Sequence, residues 1–336
     1  MTFPKHIFTG YFPKCHIQGI AVDIKKGFIY CSFTTALLKY TLDGKFVGSV
    51  SGLTGHLGCI DFCEDDGRVW GSLEYKNDCI GTGIRKNLGD SSEIINGFYA
   101  VAFDVDRITR PDMDATNDGV MTAVYLHEVV DDYEAPGHRY GCSGIDGTGF
   151  GPAFGQPAGT KEYLHIAYGI YGDVARGDND YQIILRYDRK ELNKYERLLN
   201  QKAPHQSGPE QPDGKIFVFT GNTVFGVQNL EYDAASQKWL MAVYRGQKPE
   251  FSNPPMFWFD GRKLPVEKAI KESGERHPVI EPVGTSDFAH GQTGICALGG
   301  GLFYISHEGR DGEKQFSDIY LYQMTDGEKL DFEQVL

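Results

Sequence analysis

One short strand pattern, apolar but opening on polar groups, recurs along this chain and limits its folds more than any other feature. Its first copy is Cys15-His16-Ile17-Gln18-Gly19-Ile20-Ala21-Val22-Asp23. Imperfect copies follow at His56-Leu57-Gly58-Cys59-Ile60-Asp61-Phe62, Cys142-Ser143-Gly144-Ile145-Asp146, Val227-Gln228-Asn229-Leu230-Glu231-Tyr232 and Gln292-Thr293-Gly294-Ile295-Cys296-Ala297. Aligned on the Gly-Ile step, Ile20, Ile60, Ile145, Leu230 and Ile295 fall in one column. Repetition of a strand that cannot bury its apolar residues alone points to units stacked side by side.

Two further columns support the first. Each copy is followed by a second apolar strand: Phe28–Phe33, Val69–Leu73, Tyr163–Tyr168, Trp239–Tyr244 and Leu302–Ser306. A third strand follows each of those: Leu37–Leu42, Tyr99–Asp104, Ile183–Asp188, Met256–Gly261 and Ile319–Tyr322. Several of these end in an Asp-containing turn, as a hairpin requires. Outer strands are expected at Phe46–Ser49, Ala123–Val130, Ile216–Thr220 and Pro278–Val283. The expected fold is all-β, a five-bladed β-propeller forming a single domain over residues 1–336, with blades at roughly 13–50, 54–131, 139–221, 225–284 and 289–336 plus 6–12. The N-terminal strand Ile7–Tyr11 closes the ring and removes the open sheet edges; Leu330–Val335 competes for that place. Helices are expected at Arg189–Gln201 and Val266–Ser273, an insertion at Lys76–Gly97, and a loop at the glycine-rich Gly147–Gly159.

Composition narrows the function classes. Hydrophobic residues make up 40% of the 336, enough for a sizeable core. The net charge of −13 argues against nucleic acid and anionic membrane as partners. No apolar run is long enough to span a bilayer. Met1–His6 has no signal-peptide pattern, and the seven cysteines lack CxxC spacing. Reduced thiols and a cytoplasmic location are therefore expected, or a secreted one if a leader has been removed. Gly147–Gly159 lacks the Lys-Ser/Thr of a phosphate loop, so no nucleotide cofactor is expected. Cys142-Ser143-Gly144 does not match the elbow of a serine hydrolase. The acidic run Asp173–Asp180 lacks the ligand order of an EF-hand and reads as a solvated loop.

In a propeller, the loops entering the inner strands and those leaving the second strands share one mouth of the channel, where ligands bind. His16, Gln18, His56, Ser143, Gln228, His290 and Gln292 come to that mouth from the first set. Glu74, Tyr75, Tyr168, Tyr171, Arg245 and Glu308 come from the second. Substrate binding is expected from Gln18, Glu74, Tyr75, Tyr168, Tyr171, Gln228, Arg245, Gln292 and Glu308, with tyrosines stacking on a small or oligosaccharide substrate. Asp61, Asp146 and Glu231 follow the aligned apolar residue in three successive blades. Carboxylates held together resist joint ionisation, so one pKa rises, and a raised acid beside an ionised one is what glycoside cleavage needs. His16, His56 and His290 offer a second chemistry, a divalent metal ion in the channel serving a lyase or hydrolase. A third reading is a non-catalytic propeller that binds a protein or small ligand at its surface.

The stretch His56–Tyr75, above all Cys59-Ile60-Asp61-Phe62-Cys63-Glu64-Asp65-Asp66-Gly67-Arg68-Val69-Trp70, resembles a blade of the five-bladed arabinanase and xylosidase superfamily of glycoside hydrolases. The resemblance implies a base at Asp61, a pKa-tuning residue at Asp146 and an acid at Glu231. The Pro that usually follows that family's first two acids is Phe62 and Gly147 here.

Overall fold

The computed structural model describes residues 2–13, 16–270, 274–326 and 330–336. It is a five-bladed β-propeller. The inner strands are Ile17–Asp23, His56–Cys63, Cys142–Pro152, Thr223–Asp233 and Ile295–Gly299, one per sheet, each paired antiparallel with the strand that follows it. The apolar core divides into five clusters, each joining two neighbouring blades. Trp70 lies between blades two and three, and Trp239 between blades three and four, both fully buried. A blade therefore has no solvated face, which is why its inner and middle strands are apolar almost throughout rather than alternating.

Both chain ends close the ring. The long third strand of blade five, Lys314–Asp326, pairs with His6–Phe8 and Phe12–Pro13 along one part and with Leu330–Gln334 along another. The two segments that compete in the sequence thus share one edge end to end.

Several local expectations fail. The segment beginning at Val266 is a strand, Val266–Ala269, in a hairpin with Arg276–Ile280; residues 271–273 lie outside the described residues. That hairpin extends blade three, where Phe217 pairs with Val279, so Pro278–Val283 does not form the outer strand of blade four; Gly284–Ser286 does. Arg189–Gln201 holds only a one-turn helix, Arg189–Leu192, before Arg197–Leu198 pairs onto the edge of blade two. The expected loop at Gly147–Gly159 is strand as far as Pro152. Its glycines serve close packing: a Cβ on Gly149 would sit 2.4 Å from the Leu230 carbonyl oxygen.

The insertion after Tyr75 carries helix α1, Cys79–Leu88, capped by Asp78, whose side chain accepts from the backbone N–H groups of Ile80 and Gly81. A second helix, α2 (His127–Glu134), follows the outer strand Met121–Tyr125 of blade two, so the expected strand Ala123–Val130 is half strand and half helix. No helix among the described residues is long and apolar enough to cross a membrane.

Candidate active site

A cavity of about 240 Å3 opens at the mouth of the channel. His16, Gln18, His56, Asp146 and Gln228 reach it from the inner strands or their approaches, and Glu74 from the end of a second strand. Ile80 and Ile84, one turn apart on α1, form an apolar part of its wall, and Phe225 and Tyr244 another. The sequence reading did not single out Lys76, Ile80, Ile84, Phe225 or Tyr244. The Ile-x-x-x-Ile spacing inside the insertion was the available signal for a helix with one apolar edge.

Glu74 organises the polar side. Its carboxylate lies 2.6 Å from Lys76 Nζ and 3.4 Å from His56 Nδ1, and it accepts from the Ile145 backbone N–H at 3.0 Å. Glu74 and Lys76 are buried, and His56 nearly so. Gly144, at φ 123°, makes room: a Cβ there would stand 2.0 Å from Glu74 Oε2. Lys76 Nζ also donates to the Ser143 carbonyl oxygen at 2.8 Å, tying blade two to blade three.

Asp146 stands beside this group. Its Oδ1 accepts from the Cys59 backbone N–H at 3.2 Å. A Cβ on Gly58 would lie 2.3 Å from that same oxygen, so only glycine leaves the carboxyl its place. Burial raises the Asp146 pKa to about 6, with the Glu74 charge adding to the rise and His56 and Lys76 opposing it. Burial opposes the His56 imidazolium, but Glu74 and Asp146 outweigh it and raise its pKa. For Glu74 burial favours the neutral acid, yet Lys76 and His56 prevail and hold it below the ordinary carboxylate range. Two carboxyl groups on one cavity wall are thus driven apart, one up and one down.

The three acids expected to act together are divided. Across the axis, Asn229 donates its Nδ2 to the carbonyl oxygens of Gln18 and Gln292, both at 2.9 Å, and accepts from the Cys59 thiol at 3.2 Å. This knot joins blades one, two, four and five. Asp61 and Glu231 lie farther along the inner strands than the knot and are not on the cavity wall. Asp61 accepts from the Phe150 backbone N–H at 2.7 Å and Glu231 from that of Ala297 at 2.7 Å. The breaks in pairing fall at different places: before Asp61 in blade two (between Leu57 and Ile60) and before Glu231 in blade four (between Val224 and Asn229), but around Asp146 itself in blade three (between Ile145 and Thr148), and it is Phe150, not Asp146, that meets Asp61.

Other expected site residues also separate. Tyr75 follows Glu74 in an extended strand, so its side chain points the opposite way; it is packed between blades and donates to Gln201 Oε1 at 2.9 Å. Tyr168 is likewise in the core, donating to Asp132 at 3.0 Å. Neither ring is available to stack on a substrate. Tyr171 donates to Asp78 at 3.0 Å and so anchors the cap of α1. Gln18 and Gln228 are on the cavity wall, whereas Gln292 is buried at the Asn229 knot. Arg245 is turned outward to Asp287, 3.1 Å away. Glu308 pairs with His16, whose hydrogen bond holds the Glu308 carboxyl below its usual range.

Of the three histidines, His16 and His56 share the cavity and His290 does not. His290 stacks on His307 with ring centroids 3.5 Å apart. Among the described residues no group of three His, Cys, Asp or Glu side chains is placed to hold a metal ion. Six described cysteines are free thiols, of which only Cys79 is exposed.

No family model matches the chain, and no curated protein matches it. Among solved structures it is similar to the PQQ domain of a pyranose dehydrogenase from Coprinopsis cinerea, at 11% identity over 90% of this chain and 81% of that one, with a TM-score of 0.39. It is also similar to Hsv2 of Kluyveromyces lactis, at 6% identity over 95% and 98%, TM-score 0.33. A third likeness is to the Dos1 propeller, at 8% identity over 91% and 78%, TM-score 0.32. Likenesses this distant carry no argument about chemistry, which has to come from the cavity itself.

Proposed function

We propose that the cavity is the active site of a carbohydrate-active hydrolase that cleaves a glycosidic bond in a small polar substrate by general acid catalysis. The observation that carries this reading is the pair Asp146 and Glu74 on one wall, with pKa values displaced in opposite directions. Such a division assigns roles: the raised carboxyl keeps its proton up to about pH 6 and can donate it, and the lowered one stays ionised there. Asp146 protonates the leaving oxygen as the glycosidic C–O bond breaks; a water then adds to the anomeric carbon and returns its proton to the Asp146 carboxylate. Glu74, held ionised by Lys76 and His56, stabilises the positive charge that develops on the sugar ring. Asp61 and Glu231 take no part, because the Asn229 knot stands between them and the cavity. The volume of about 240 Å3 lies below the roughly 300–1,000 Å3 of drug-sized sites, which suits a single ring.

The test is release of 4-nitrophenolate from a panel of 4-nitrophenyl furanosides and pyranosides. At least one should turn over, at a rate that falls as pH rises through about 6, where Asp146 gives up its proton. A chelator should leave the rate unchanged. Absence of turnover across the panel, or a rate that climbs through pH 6, would end this reading.

A further inference from the structure

Phe225 stands at the mouth of the cavity in a conformation that stability does not explain. Its φ is 62°, in the left-handed region where a Cβ crowds the following carbonyl. Gly226 continues the same turn at φ 74°, and there the need for glycine is plain, since a Cβ would lie 2.5 Å from the Ile170 nitrogen. Phe225 has its Cβ and bears the strain. Packing does not compensate, because Phe225 is 44% exposed and its ring meets Tyr244 only edge-on, with centroids 6.4 Å apart. Both rings line the cavity. The same turn sets a polar neighbour: Gln228 Nε2 donates to the Phe225 carbonyl oxygen at 3.2 Å. A strained backbone that holds an apolar ring out to solvent beside a cavity is what a ligand contact requires and a core does not.

We infer that Phe225 is the specificity-determining shelf of this cavity, on which the bound molecule lays the apolar face of a single uncharged ring. This deepens the hydrolase reading and rests on the same cavity. Phe225, backed by Tyr244, takes the stacking part that the sequence assigns to Tyr75, Tyr168 and Tyr171. Gln228 and Asp146 face the ring's polar substituents. Charge sets the class. The basic side chains of the wall already have carboxylates beside them, Lys76 and His56 with Glu74 and His16 with Glu308, so an anionic ring meets no basic group that is unengaged.

Saturation-transfer NMR with methyl β-D-xyloside and with D-glucuronate, together with thermal melting, tests this on the wild type, Phe225→Gly and Phe225→Leu. The wild type should bind the xyloside and not the glucuronate. Phe225→Gly should weaken xyloside binding by roughly tenfold, the loss of one aromatic contact. It should also melt about 1–2 °C higher, because glycine relieves the left-handed strain. Phe225→Leu should keep part of the affinity and gain nothing in melting temperature. The shelf is refuted if Phe225→Gly melts lower, which would make the ring a packing residue, or if it binds the xyloside as tightly as the wild type. A wild type that prefers glucuronate, or binds neither probe, refutes the uncharged-ring class. A wild type that binds the xyloside through Phe225 yet cleaves no 4-nitrophenyl glycoside upholds the shelf and removes the hydrolase reading alone.

Discussion

Two groups of buried carboxyls occupy the channel on either side of the Asn229 knot, and they behave differently. At the mouth, Glu74 and Asp146 lie among Lys76 and His56. Below it, the direct partners of Asp61 and Glu231 among the described residues are backbone N–H groups, and the Asp61 charge presses on Glu231. Burial is the leading influence in every case. What differs is the sign of the neighbours. Mixed charges split the upper pair into a proton donor and a lasting anion. Without cations, the lower pair moves in one direction only: burial pushes Asp61 up to about 7, and Glu231 rises well above its usual value through burial and the Asp61 charge. A division of labour between acids needs a cation beside one of them, and mere proximity does not supply it.

The sharpest way to break this contrast is to remove one acid from each side. Asp146→Asn should lower kcat on any glycoside that the wild type cleaves by about 10²–10⁴-fold. Glu231→Gln should stay within a few-fold of wild type. Equal losses in the two variants would mean that both chambers serve one reaction.

Next comes the cation itself. Lys76→Met leaves Glu74 buried without its nearest counter-charge and should cost about 3–5 kcal/mol in urea unfolding. If the variant folds, its rate limb should move above pH 6, because the Lys76 charge is one of those that restrain Asp146. A limb that stays in place would detach Asp146 from the profile.

The lower pair makes a prediction about stability and pH. Asp61 and Glu231 hold their protons more tightly folded than unfolded, so between about pH 4 and 7 the folded state binds more protons than the unfolded chain. Their contribution is therefore fully favourable below the ordinary carboxylate pKa and is lost as pH rises toward 7. Asp61→Asn should flatten that decline in melting temperature and stabilise the protein at pH 8. A decline of unchanged slope would mean that Asp61 ionises normally. The smallest effect is expected from Arg245→Ala, which gives up an exposed pair with Asp287 and an exposed hydrogen bond to the Asn253 carbonyl oxygen and should shift stability by less than about 1 kcal/mol with no change in rate.

Legibility in the sequence followed the range of the interactions. The blade strands could be read because each is a local apolar run bounded by turns. His16, Gln18, His56 and Gln228 could be placed at the mouth because they open those strands. Tyr75 and Glu74 both belong to the mouth by sequence, but alternation along a strand forbids both from facing the channel. Asp146 shares a sequence column with Asp61 because the place of the bulge, around Asp146 but before Asp61, leaves no mark in composition. The hairpin Val266–Ile280 reads as the end of blade four, but it pairs with blade three through contacts far away in the chain.

The sequence by itself determined that this chain is a ring of five sheets, since five repeated apolar strands have to cover one another's faces. Only the tertiary structure decided which acids share a cavity. Depth along the channel depends on bulges and on contacts between blades, and whether a bulge falls before an acid, as for Asp61, or around it, as for Asp146, leaves no trace in the local sequence.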